Sequence, residues 1–126
     1  MKNRQYVNQE IDQINLNESG IIGILWKGEN EIDLELIIDW CGQYDLKEEI
    51  DFNNISTKLI FEFCHDINFD FKHKPPYTIG ALEITEFTYN ELPDNGGYLI
   101  EFRFDFQPNG YIKFNCSNFR FIVEEK

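Results

Sequence analysis

Residues 61–74 read FEFCHDINFDFKHK, which places Cys64, His65 and Asp66 side by side and His73 shortly after. His65 and His73 are the 2 histidines of the chain. Cys, His and Asp are the residue types of thiol nucleophiles and of zinc sites. Whether they do that chemistry depends on the element that carries them. From Leu59 onward the apolar residues fall on alternate positions: Leu59, Phe61, Phe63, Ile67, Phe69 and Phe71. That is the period of a β-strand, in which successive side chains point to opposite faces. Cys64 and Asp66 then lie opposite His65, and a relay among them is broken. The two histidines share a face but are about 26 Å apart along a strand, too far to share a metal. A straight strand of this length would run ~53 Å, so the chain must bend, and CHDIN is the expected place. DINFD also imitates the start of a calcium loop through oxygen ligands at 66, 68 and 70. It lacks the glycine and the glutamate of that motif, since Phe71 and Tyr77 stand at those places. The stretch reads as a strand, with no metal, no cofactor and no catalytic residue.

The elements around it are strands as well. Residues 21–27 and 31–40 form a hairpin, the second strand alternating Ile32, Leu34, Leu36, Ile38 and Trp40 with Glu31, Asp33, Glu35, Ile37 and Asp39. A loop over about 41–56 precedes the Cys-His-Asp strand, and PPY at 75–77 is a stiff connector after it. In IGALEITEFTYN the apolar phase shifts from Leu82 and Ile84 to Phe87 and Tyr89, which predicts a bulge near Thr85 and Glu86. PDNGG and PNG are turns, and YLIEFRFDF, YIKFNC and NFRFIV complete the set. Only Val7, Ile11 and Ile14 follow a helical spacing, which predicts a short amphipathic helix over 6–14. The expectation is one domain, an antiparallel β-sandwich or barrel of about 7–8 strands. Its expected core is Phe61, Phe63, Phe102, Phe104, Phe106, Ile112, Phe114 and Phe121.

A chain of 126 residues with 12 Phe, 6 Tyr and 2 Trp has ample material for one core. Eleven basic against 23 acidic residues leave a net charge of −12. That argues against nucleic acid and against an anionic membrane surface, both of which need clustered Lys and Arg. The 3 cysteines, Cys41, Cys64 and Cys116, have no paired spacing. With no apolar segment near the N-terminus and no membrane-spanning run, reduced thiols in a cytoplasm are the expectation. Cys116 shares the phase of Ile112 and Phe114 and reads as a small core residue.

Charge is concentrated in one region. Between Glu29 and Asp51 there are nine acids and one base, Lys47, so −8 of the −12 sits in 23 residues. Trp40, Tyr44, Asp45, Glu48, Glu49 and Asp51 mix aromatic rings with carboxylates. Such a surface suits a basic protein partner, for example a toxin domain. A charged outer face that keeps an edge hairpin from aggregating is the plainer account of the same residues. Glu48 with Glu49, or Asp39 with Asp45, could be cast as a glycosidase pair, but nothing sets their separation or raises a pKa. A small-ligand or carbohydrate-binding module, stacking sugars on Trp26, Trp40 and tyrosines, is the alternative.

The hairpin IIGILWKGENEIDLELIIDW and the closing IKFNCSNFRFIV resemble the ends of small all-β bacterial proteins of the immunity-protein and related uncharacterised class. That resemblance implies a cytoplasmic, non-enzymatic inhibitor that blocks a toxin by binding it. It carries over no functional residues.

Overall fold

The structure is a computed structural model, and it describes residues 4–28, 32–40, 55–72, 82–93, 96–105 and 109–125. The architecture is all-β and antiparallel. Nine strands are formed by the described residues: β1 (Arg4–Val7), β2 (Gly20–Lys27), β3 (Ile32–Asp39), β4 (Ile55–Lys72), β5 (Leu82–Glu83), β6 (Glu86–Glu91), β7 (Tyr98–Phe104), β8 (Asn109–Cys116) and β9 (Asn118–Glu125). The count exceeds seven or eight because β1 and β5 are too short, at 4 and 2 residues, to show a period. Among the described residues no helix is long and apolar enough to cross a membrane.

The spine is a pair of long bent strands. β4 runs 18 residues. Its first part pairs with β9, from Ile55 opposite Glu125 to Glu62 opposite Asn118. Its second part pairs with β8, from His65 opposite Asn115 to Lys72 opposite Asn109. β8 and β9 are separated by Ser117 alone, so together they act as one bent strand laid antiparallel along β4. The expected bend is present, with a register shift between His65 and Asn68 and positive φ at Phe63 (56°) and Asp66 (54°). Gly110 sits opposite Phe71 in this ribbon, and a Cβ there would run into the Asp70 carbonyl. Only glycine allows that approach.

From this spine the sheet continues in the order β5-β2-β3-β4-β8-β7-β6, with β9 beside β4 and β1 beside β9. The two ends of the order are successive pieces of one stretch of chain. Leu82 and Glu83 pair with β2, and Ile84 exchanges backbone bonds with Glu18 and Ser19 at 2.7 and 2.8 Å. Thr85 N–H then donates to the Arg103 carbonyl at 2.8 Å, and 86–91 pair with β7. The expected bulge at Thr85 and Glu86 is therefore a change of partner strand. This stretch thereby links the two ends of one open, nine-stranded antiparallel sheet, an arrangement consistent with a sandwich- or barrel-like fold.

The N-terminal helix expected over 6–14 is replaced by β1 followed by a 3-10 turn over Asn8–Gln13. Tyr6 and Val7 lie opposite Phe121 and Arg120 of β9, and these ladder bonds hold them extended. Asn8 opens the 3-10 turn with positive φ (49°), outside the right-handed α region. Ile11 is buried, as its spacing requires.

Leu59, Phe61, Phe102, Phe114, Phe119 and Phe121 are all fully buried. The Phe61 ring meets Phe114 edge-on at 4.8 Å and Phe102 at 6.1 Å, and Phe119 lies within 5.1–6.2 Å of Tyr98, Tyr89 and Phe87. Such edge-to-face contacts add to the burial of each ring. Phe104 and Ile112 are buried as expected, and Phe106 lies outside the described residues. Phe63 is the core residue wrongly assigned, being 43% exposed. Its left-handed backbone breaks the alternation, so Cys64 takes the inward place that Phe63 would have held.

Candidate functional site

The bend separates the Cys-His-Asp cluster. Cys64 is buried and its Sγ faces the Phe61 carbonyl at 3.4 Å. Burial pushes its thiol up to about 12, and burial pushes Cys116 up as well. A thiol so poorly ionised is a poor nucleophile. His65 is exposed, with Nδ1 3.5 Å from the Phe63 carbonyl. The Asp66 carboxylate accepts a bond from Asn115 Nδ2 at 3.3 Å. The three side chains have separate partners and do not converge. Among the described residues no three His, Cys, Asp or Glu side chains form a group able to hold a metal ion. Cys41 and His73 lie outside the described residues.

Of the aromatic and acidic residues expected to bind a partner, Trp40 is placed in the core. It is 3% exposed, packs edge-on against Phe121 at 5.1 Å, and its Nε1–H donates to the Asn15 carbonyl at 3.2 Å. Its ring is enclosed and offers no surface to a partner or a sugar. Tyr44, Asp45, Glu48, Glu49 and Asp51 lie outside the described residues.

The acids of β3 differ from one another. Glu35 is buried between Lys27 Nζ at 2.6 Å and Lys58 Nζ at 3.2 Å. The hydrogen bond from Lys27, with Lys58 behind it, holds its carboxyl below the ordinary 4.5 despite burial. Glu35 is thus a structural cross-strand ion pair on the outer face of the sheet. The Asp33 carboxylate accepts the Phe63 N–H at 3.0 Å and clamps the start of the bend.

That clamp marks the surface the alternation pattern missed. Trp26, Ile32, Phe63 and Phe69 are 54%, 44%, 43% and 40% exposed. A ring contact joins Trp26 and Phe69, and Ile32 and Phe63 lie near them along β3 and β4. Ile32 lies opposite Cys64, next to Phe63 in the chain. Trp26 lies opposite Leu34, one diagonal step from Ile32, and meets the Phe69 ring edge-on at 6.0 Å. Phe69 in turn stacks on Phe71 at 6.5 Å, which reaches Phe104 in the core at 5.7 Å. Trp26 and Phe69 thus continue the aromatic core to the outside. Asp33, Asp66 and Asp70 are interspersed among them in the sequence. A bend that gives Phe63 a left-handed φ carries a strain cost of about 1–3 kcal/mol, which the rest of the fold must offset. No family model, no curated protein and no solved structure matches this chain.

Proposed function

We propose that this protein is a non-enzymatic protein-binding module of the immunity type, which holds a basic partner such as a toxin domain. The observation that carries the reading is the exposed patch formed by Trp26, Ile32, Phe63 and Phe69 on a body of net charge −12. Large apolar side chains grouped at a surface mark interaction sites, and Trp and Phe are favoured anchors there. The acids among them and the overall charge steer a basic surface toward that patch. Cys64 and Cys116 are buried with raised thiol pKa values, and Cys64, His65 and Asp66 diverge, so no relay forms among those residues. The carbohydrate reading is weakened by the burial of Trp40, which removes one of its two tryptophan platforms.

The test is to isolate the partner from source cells on the tagged protein, purify it, and titrate it calorimetrically. Trp26→Ala with Phe69→Ala should weaken binding more than tenfold while leaving the circular dichroism spectrum unchanged. Glu48→Lys, Glu49→Lys and Asp51→Lys together report on the acidic segment in the same titration. Affinity should fall as salt rises, because the Debye length at 0.15 M is only about 8 Å. An acidic partner, or a basic one that binds the aromatic double variant at full strength, sinks the proposal.

A further inference from the structure

A second surface lies at the opposite end of the strand order. β6 is paired on one side by β7, and among the described residues no strand pairs with its other side. A cleft of about 620 Å³ runs there. Phe87, Thr88, Tyr89 and Asn90 all border it, with the 11–17 segment forming the far wall. Successive strand residues point to opposite faces, so a space bordered by four in a row lies along the strand's edge.

The backbone of β6 is arranged to use that edge. Leu92 N–H donates to the Gly97 carbonyl at 2.8 Å. The register from Glu86 opposite Arg103 to Glu91 opposite Tyr98 keeps the same parity. In an antiparallel ladder only alternate residues bond across to the partner. Glu86, Thr88 and Asn90 therefore face β7, while Phe87, Tyr89 and Glu91 turn their N–H and C=O groups into the cleft. Unpaired edges of this kind are templates for another strand.

The charges select the occupant. Tyr89 Oη donates to Asp12 at 2.7 Å, and Glu91 accepts a bond from Gln9 Nε2 at 2.7 Å, so carboxylates stand at the cleft. A second copy of the chain is disfavoured. Each copy would bring a net charge of −12, and bodies of like charge repel. We propose that the free edge of β6 accepts an extended, Lys- or Arg-bearing segment of a partner protein as an added strand. Basic side chains on the side of Asp12 and Glu91 are attracted there, and the partly buried Ile14, Phe87 and Tyr89 border the apolar side chains between them. This surface is distinct from the aromatic patch, and its occupation does not depend on the function proposed for that patch.

The probe is a blocked nine-residue peptide alternating Lys and Val, with a Glu-Val peptide as control. Amide hydrogen exchange gives a signature that general charge attraction lacks. The Lys-Val peptide should slow exchange at Phe87, Tyr89 and Glu91, while Thr88 and Asn90, already bonded to β7, change little. Glu91→Pro removes an outward N–H without touching the β7 ladder and should weaken binding at least tenfold. Should that variant unfold, Asp12→Lys with Glu91→Lys replaces it and should lose binding equally. Trp26→Ala should leave peptide binding unaltered. Protection spread over the acidic surface, equal binding of the Glu-Val peptide, the same protection arising from self-association, or normal binding by the edge variants overturns the proposal.

Discussion

The two halves of β4 are one continuous strand with opposite employments. Residues 55–62 are flanked by β3 and β9, and their inward side chains, Leu59 and Phe61, are fully buried. Residues 65–72 pair with β8 alone among the described residues, and Phe69 remains 40% exposed. Phe63, between them, and Asp66, at the start of the second, have positive φ, and the register changes between His65 and Asn68. The chemistry of the side chains hardly differs, since both halves place large apolar residues at alternate positions, Leu59 and Phe61 in the first and Ile67, Phe69 and Phe71 in the second. What differs is the second flanking strand. A strand enclosed on both edges and covered on one face contributes stability, whereas the same composition at an edge contributes surface. The comparison locates stability in the first half and recognition in the second.

Truncation should separate the halves most sharply. Phe61→Ala removes a ring with three aromatic neighbours and should cost about 3–5 kcal/mol in urea unfolding. Phe69→Ala should cost about 1 kcal/mol or less, because its ring is already partly in water. Similar costs for the two would remove the distinction between the halves.

The ion pair beside the first half should have the next largest effect. Glu35→Gln should cost about 1–2 kcal/mol at neutral pH, between surface and buried pairs, because Lys27 is largely in solvent and screened. The sign with pH follows from a folded pKa held below the ordinary 4.5. The wild-type contribution is fully present above that value and is lost as pH falls through the folded pKa. The difference between wild type and Glu35→Gln should therefore shrink in acid, as read by unfolding midpoints between neutral pH and pH 3. A constant difference would assign the effect to packing.

Phe63→Gly probes the bend itself. Glycine adopts positive φ without strain, and Phe63 gives up little burial, so stability should hold or rise by up to about 1 kcal/mol. Binding of the partner at the aromatic patch should fall at the same time. A loss of stability would show that Phe63 packs more than it strains. The smallest effect is kinetic. In a Cys41→Ser background the native protein should react with a thiol reagent far more slowly than the unfolded chain, because Cys64 and Cys116 are buried and protonated. Rapid native labelling would mean that the bend opens.

Much of the fold was legible before any coordinates. Period-2 alternation marked the strands, and Phe61, Phe102, Phe104, Ile112, Phe114 and Phe121 were assigned inward for that reason alone. Phe119 carried the same signal, in phase with Phe121 and Val123, and its place at the centre of the aromatic core went unread. The candidate site was scarcely legible. Trp40 looked like a surface anchor because it ended an acidic strand, yet it obeys the inward phase of Leu34, Leu36 and Ile38 and is buried with them. Phe63 looked like core because alternation assumes an unbroken strand.

Local sequence determined what each residue can do to its immediate neighbours: extended backbone, the inward phase of each strand, the turns, and a charge that disfavours polyanions. These follow from period, side-chain volume and formal charge, which need no knowledge of distant residues. Tertiary structure alone decided where the phase breaks, which edges go unpaired and which apolar residues stay outside. The bend at Phe63 and Asp66 forms because β4 must pass from one set of neighbours to another. Among the described residues the far edge of β6 is unpaired because the strand at 82–91 changes partner at Ile84 and Thr85. Both depend on pairing between segments far apart in the chain, and a pattern read along one strand holds no information about the strand that fails to lie beside it.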